Sequence, residues 1–291
     1  KNDKPPAMRT TFVLIVLLLT GCSGTPDPAF QTFPKIDAHV HLETYDESFV
    51  EVIGENHLRL ITLVTRANPW PEIEQEYAYA RRLHDHHPDQ ILFATTFSME
   101  GFGEPGWEET TLDWLEKSFD EGAVALKVWK DIGMTFRDSA GEFILIDDPR
   151  FNPIFDYVEA RGKTLVNHNA EPKNCWLPLS EMTVRGDSSY FASHPEYHMY
   201  LHPEYPSYDE LIAARDRMLE KHPGLKYVGC HLGSQEWDVE YLARSLDQYP
   251  NMTVDMAARI SHFKYQDRDK VRDFLIQYQD RLLYGTDIGI R

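Results

Sequence analysis

A (β/α)8 TIM barrel is the fold this 291-residue sequence predicts. Three observations predict it: short apolar runs alternate with amphipathic helical runs from Lys35 onward, they recur at barrel spacing, and metal-competent residues stand at the C-terminal ends of several of them. The apolar runs are residues 35–41, 58–65, 91–96, 124–129, 164–168, 225–231, 252–256 and 282–285. Between them, residues 72–86, 111–121, 208–222, 236–248 and 267–279 carry apolar side chains at intervals of three and four, the period of a helix with one buried face. The first five strands begin about 32 residues apart on average, as parallel strands with helical crossovers require. A doubly wound open sheet is the main competitor. It lacks the glycine-rich phosphate loop expected after its first strand, where this chain has His41-Leu-Glu-Thr44.

Two segments interrupt the rhythm. Residues 136–146 read as a hairpin turning at 139–141, inserted after strand four. Residues 169–207, dense in Pro, Tyr and His, form a long connection after strand five. In a barrel both belong to the C-terminal face, where long βα loops cover the substrate. The sequence stops four residues beyond Asp287, so the expectation is a barrel truncated after strand eight, without its last loop and helix.

Composition narrows the function. With 42% hydrophobic and 26% charged residues the chain can fill a core, and a net charge of −18 without any basic run excludes a nucleic-acid partner. Residues 1–22 read as a signal peptide: an apolar run at 11–19 leads to Leu19-Thr-Gly-Cys22, which resembles a bacterial lipobox. Cys22 is then a lipid anchor, residues 23–34 a linker and residues 35–291 the catalytic domain. The expected location is the bacterial cell envelope, periplasmic or at the cell surface, with membrane contact through that lipid. A homo-oligomer is compatible with the sequence. Cys175 and Cys230 lack a C-x-x-C spacing, which leaves a disulfide between them open but without support in the sequence.

The chemistry starts at His39 and His41. Two apart on a strand, they point to one side, and if that side is the lumen both imidazoles reach one ion; divalent zinc, manganese and iron all take imidazole nitrogen. Asp37 shares their face and is placed to orient a histidine. His168 ends strand five, His231 ends strand six and Asp287 follows strand eight, each at a C-terminal edge. Lys127 lies within strand four on the face of Ala125 and Trp129; a lysine facing the lumen must be paired, modified or neutral. Cys230, by strand alternation, points away from His231 toward the helical layer. His194, His198 and His202 have helical spacing, but Pro195 and Pro203 interrupt any helix there, so no accessory metal site is expected.

The order of H-x-H on strand one, His on strands five and six and Asp on strand eight resembles the amidohydrolase superfamily. Ile36-Asp-Ala-His-Val-His41 and Tyr284-Gly-Thr-Asp287 look most like its amidohydrolase 2 branch, which includes aminocarboxymuconate semialdehyde decarboxylase-like enzymes. The resemblance implies that His39, His41, His168 and Asp287 surround a metal and that His231 is a further ligand or a catalytic histidine. In the binuclear branch a strand-four lysine is carboxylated and bridges two metals, a place similar to that of Lys127, which leaves one ion or two open.

The expected cofactor is a divalent metal, zinc first, with manganese and iron as alternatives. The expected activity is hydrolysis of a carbonyl-type centre in a small molecule (lactone, ester or amide), with Asp287 taking a proton from water and His231 or the metal stabilising the oxyanion. The alternatives are a decarboxylase or hydratase of an unsaturated carboxylate, and a lipid-anchored binding protein without catalysis. For substrate contact the candidates are Glu171 after strand five, Arg259 after strand seven and Trp129 at the end of strand four, with Lys130 beside it.

Overall fold

The structure is a computed structural model and describes residues 32–291. The lipobox-like segment with Cys22, and residues 23–31 of the linker, lie outside the described residues. Pro34–Arg291 is one compact unit.

Its centre is a sheet of nine parallel strands in the order β8-β7-β6-β5-β4-β3-β2-β1-β9. They are β1 (Lys35–Leu42), β2 (Leu58–Leu63), β3 (Ile91–Thr95), β4 (Ala125–Val128), β5 (Thr164–Asn167), β6 (Lys226–Gly229), β7 (Met252–Asp255), β8 (Leu282–Leu283) and β9 (Ile288–Ile290). From β1 to β8 consecutive strands are neighbours, as in a singly wound α/β barrel. The last two are halves of one broken strand. Leu282–Leu283 pairs with β7 while Ile288–Ile290 pairs with β1. Between them Ala38 N–H donates to the Tyr284 carbonyl and Asp287 N–H to the His39 carbonyl, both at 2.9 Å. The curl of the sheet thus brings both of its ends onto one stretch of chain. Gly285 makes that approach feasible: a Cβ there would lie 2.9 Å from His39 Cβ.

Helices cover the outside: α1 (Phe49–Glu55), α2 (Trp70–His86), α3 (Trp107–Asp120), α4 (Asn152–Ala160), α5 (Arg185–Ser193), α6 (Tyr208–Lys221), α7 (Val239–Gln248) and α8 (Arg268–Gln277). Their starts follow capping chemistry. Ser207 and Glu210 form a reciprocal capping box on α6, while Asp238 and Asp267 accept the first free N–H groups of α7 and α8. The main core lies between sheet and helices, with Phe93, Phe155, Tyr227 and Leu242 among its buried residues. A smaller apolar layer fills the sheet's inner face, built from Leu63, Ala94, Ala125, Val166 and Val228. Because strand side chains alternate, this layer forms the floor beneath the residues at the strands' C-terminal ends.

The hairpin after strand four is present in reduced form: Arg137 and Phe143 make an antiparallel bridge and Gly141 turns with φ +86°. The long connection after β5 folds into short 3-10 turns and α5, packed as a satellite core around Cys175, Phe191 and Met199. Within it Trp176 donates to the Pro206 carbonyl at 3.1 Å, holding the connection down. His194, His198 and His202 fall on separate turns, each ring facing a backbone carbonyl.

Candidate functional site

His39 and His41 reach the lumen because β1 alternates as expected: Val40 and Leu42 face α1, where they pack with Val50 and Ile53. His39 Nδ1 lies 2.9 Å from Asp255 Oδ2, and His41 Nδ1 lies 3.2 Å from the Leu63 carbonyl. On the far side His231 Nδ1 lies 2.9 Å from the Ala257 carbonyl. Carboxylate and carbonyl oxygens only accept, so in each neutral ring the proton belongs on Nδ1 and leaves Nε2 bare. The Nε2 atoms of His39 and His41 approach Asp287 Oδ1 at 3.3 and 3.1 Å. His39, His231 and Asp287 each place a ligand atom within 4.8 Å of the others. His168 completes the group, its ring centroid 4.3 Å from that of His231 and its buried Nε2 without a hydrogen-bond partner.

Bare nitrogens gathered on a carboxylate oxygen repel unless a cation stands among them, and a buried acceptor without a donor is costly. The donor set, imidazole nitrogen plus one carboxylate, suits a divalent transition metal. The alternative to a cation there is a proton on Nε2. Burial would lower the His39 pKa, but Cys230, Asp255 and Asp287 outweigh it and hold the ring well above its ordinary value. Burial pushes the Asp287 carboxyl up, yet the hydrogen bonds from His39 and His41 hold it far below the usual range. Burial drives His168 well down and His231 to about 3, so both remain neutral and able to ligate.

His231 is delivered by unusual backbone. After Gly229 the chain makes a left-handed turn, with φ of +60°, +59°, +61° and +59° at His231, Leu232, Gly233 and Ser234. Each non-glycine residue there costs about 1–2 kcal/mol, so the turn must be held from outside. Fully buried Arg215 donates to the Gly233 carbonyl and Gln235, Tyr208 donates to the Ser234 carbonyl, and Asp255 accepts the His231 N–H at 2.9 Å.

This turn corrects the expectation for Cys230. Val228 and Cys230 both face inward, and the left-handed turn then swings His231 to the same side, so strand alternation fails at this one position. Cys230 Sγ meets Lys127 Nζ at 2.9 Å on the floor of the site. Lys127 is therefore partnered by Cys230. Asp37 does not orient a histidine ring. It accepts the backbone N–H of His39 and both the N–H and hydroxyl of Thr286, pinning β1 to the broken last strand. The ring-orienting carboxylate is Asp255, which sequence reasoning missed. Its carboxyl, which burial alone would raise, is lowered to about 2 by His39 and His231. The available signal was its place near the C-terminal end of strand seven.

A cleft of about 280 Å³ opens above these residues, lined also by Glu43, Thr65, Arg66, Trp129 and Lys130. A second lobe of about 330 Å³ shares Lys130, His168, His231 and Asp287 with it and adds Glu171, Tyr190, Phe191 and Arg259. The structure thus brings Trp129, Glu171 and Arg259 to the cleft. Lys130 ion-pairs with Glu171, so this cation and acid neutralise each other at the shared wall. Arg259 makes no ion pair among the described residues, and its buried Nε has no partner.

The model of the family described as Amidohydrolase matches residues 36–288. No curated protein matches the chain. Among solved structures, 2,6-dihydroxybenzoate decarboxylase from Rhizobium superposes with a TM-score of 0.56 at 15% identity, covering 87% of both chains. A protein described as an amidohydrolase II superposes with a TM-score of 0.52 at 16% identity, covering 87% of this chain and 86% of that one. At these identities the likeness is one of fold.

Proposed function

Because the chain belongs to the amidohydrolase family over residues 36–288, we propose that it is a metal-dependent hydrolase of a small-molecule lactone, ester or amide. One observation carries this reading: the Nε2 atoms of His39 and His41 meet at Asp287, with His231 and the unpartnered Nε2 of His168 beside them at the mouth of the sheet. These five residues would hold a divalent ion, zinc by donor preference with manganese or iron as alternatives. Such an ion, when bound, polarises a carbonyl and makes water acidic near neutral pH.

The chain's own groups supply the rest. Asp287 sets an ionised carboxylate oxygen beside the His39 and His41 Nε2 atoms, placed to accept a proton from water and return it to the leaving group. With its proton on Nδ1, His231 offers Nε2 as a ligand and has no proton there to give an oxyanion. Asp255 fixes the His39 ring and the His231 backbone together, so both move as one unit. Trp129 and the connection carrying Glu171 narrow the cleft, and Arg259 is placed to clamp an anionic group in the second lobe.

The test is a panel of lactones, esters, amides and unsaturated carboxylates, scored for hydrolysis product and for carbon dioxide before and after chelation. Hydrolysis lost on chelation and restored by zinc or manganese supports the reading. Carbon dioxide release without hydrolysis replaces it with decarboxylation, and turnover indifferent to chelation removes metal chemistry altogether. The lipobox-like Leu19-Thr-Gly-Cys22 supports placing the enzyme on a membrane surface in the bacterial cell envelope, through lipid on Cys22.

A further inference from the structure

The second lobe of the cleft is lined by two groups of opposite charge, Arg259 and Asp187, that make no ion pair with each other. Arg259 donates through Nη1 to the adjacent Ala258 carbonyl, and its buried Nε has no partner. Asp187 meets Asn174 Nδ2 at 2.8 Å and His262 Nε2 at 3.5 Å, both through Oδ2. Its Oδ1 makes no hydrogen bond among the described residues. Burial lowers His262 to about 4, so it stands beside Asp187 as a neutral ring. The other charges of the lobe are already matched: Lys130 pairs with Glu171, and Asp287 lies against the histidines. Asp187 and Tyr190 are three residues apart on α5, so both face the lobe from one side of that helix.

We propose that this lobe receives a zwitterionic group, its carboxylate on Arg259 and its ammonium on Asp187, so that the substrate is a small amide or ester with an amino-acid end. This names the substrate class of the hydrolase reading above and rests on it.

A ligand with a single charge satisfies one wall and leaves the other uncompensated in a half-enclosed space, whereas a zwitterion answers both. The guanidinium offers a fork of N–H donors to a planar carboxylate, and Asp187 offers acceptors to an ammonium. The ring of Tyr190, on the same side of α5, adds a π surface beside that ammonium. Because the lobe shares His168, His231 and Asp287 with the first, a group seated in it stays joined to the bond under attack at the mouth of the sheet.

The experiment measures calorimetric binding, to zinc-loaded full-length protein, of probes that share one apolar body: L-leucine, isocaproate, which lacks its amine, and isoamylamine, which lacks its carboxylate. L-leucine is expected to bind about tenfold or more tighter than either. Asp187→Asn is expected to weaken L-leucine and isoamylamine about tenfold and to leave isocaproate unchanged. Arg259→Met is expected to weaken L-leucine and isocaproate by a similar factor and to leave isoamylamine unchanged. Asp187→Asn keeps the shape and an acceptor for Asn174, so it carries the test if Arg259→Met fails to fold. L-leucine binding that neither substitution moves marks chelation of the ion by the probe and overturns the proposal. So does isocaproate bound as tightly as L-leucine, and so does the absence of binding by every probe. Zinc content of the same samples reports on the metal-dependent reading by itself, which keeps its failure distinct from failure of this one.

Discussion

Asp255 joins two ligand-bearing elements that lie far apart in sequence: its Oδ2 accepts from His39 Nδ1 on β1, and its Oδ1 accepts the backbone N–H of His231 beyond β6, both at 2.9 Å. One carboxylate therefore sets the ring of the first histidine and the backbone position of the second. Outer partners of this kind typically contribute about 10–100-fold to metal affinity. Asp255→Asn, which keeps the shape and removes the charge, is expected to weaken zinc binding by that factor in competition with a chromogenic chelator. Unchanged affinity would show that the two histidines are held by other means.

The left-handed turn after β6 gives a second expectation. Gly233 has φ +61°, and a Cβ there would lie 2.9 Å from Met252 Cε and 3.4 Å from Arg215 Nη1. Gly233→Ala combines an unfavourable backbone with a crowded site and is expected to cost about 1–3 kcal/mol in urea unfolding. Because the same turn carries His231, zinc affinity is expected to fall with stability. A stable variant with normal affinity would mean that the turn relaxes without moving the ligand.

The fold was largely legible in the sequence because strand alternation and helical period are local signals. The inward side of β1 and the strand-end positions of His168 and Asp287 follow from residues close in sequence. What was not legible depends on long-range geometry. Cys230 and His231 share a side only because four successive residues turn left-handed, and three of them are not glycine. The ring-orienting role falls to Asp255 and not to Asp37, since both are buried strand carboxylates and only the curl of the sheet shows which one meets a ring. The break in the last strand at Tyr284–Asp287 likewise follows from pairing with both β7 and β1, which no local pattern announces.

Acid sensitivity follows from the depressed pKa values. His231 falls from 6.5 to about 3 on folding, so between those values the unfolded chain binds the proton and the folded chain does not. Stability from this group is complete above pH 6.5 and drains away as pH falls toward 3. Asp255, lowered from 3.8 to about 2, adds a further loss below pH 4 by the same sign. Metal-free protein is expected to lose about 1.4 kcal/mol per pH unit per group in these windows. His231→Gln is expected to flatten the first window in denaturant titrations; an unchanged slope would assign it to another group.

Arg259 supplies a test of substrate recognition. Its guanidinium lines the second lobe without an ion pair among the described residues. Arg259→Met is expected to raise KM about tenfold or more for panel members bearing a carboxylate, with little change for neutral ones. An equal effect on both groups would make Arg259 a structural residue of the cleft wall.

Cys22→Ala, by the lipobox resemblance, is expected to move the full-length protein from the membrane to the soluble fraction of cells. Retention in the membrane would remove the lipid anchor.

Zinc binding to metal-stripped protein, measured by calorimetry for wild type and for His39→Ala and His168→Ala, tests the metal centre most directly. The five-residue centre requires tight binding in wild type and a loss of about 100-fold or more in each variant, since each removes a ligand. Binding that is absent in wild type, or equally tight in all three proteins, would contradict it.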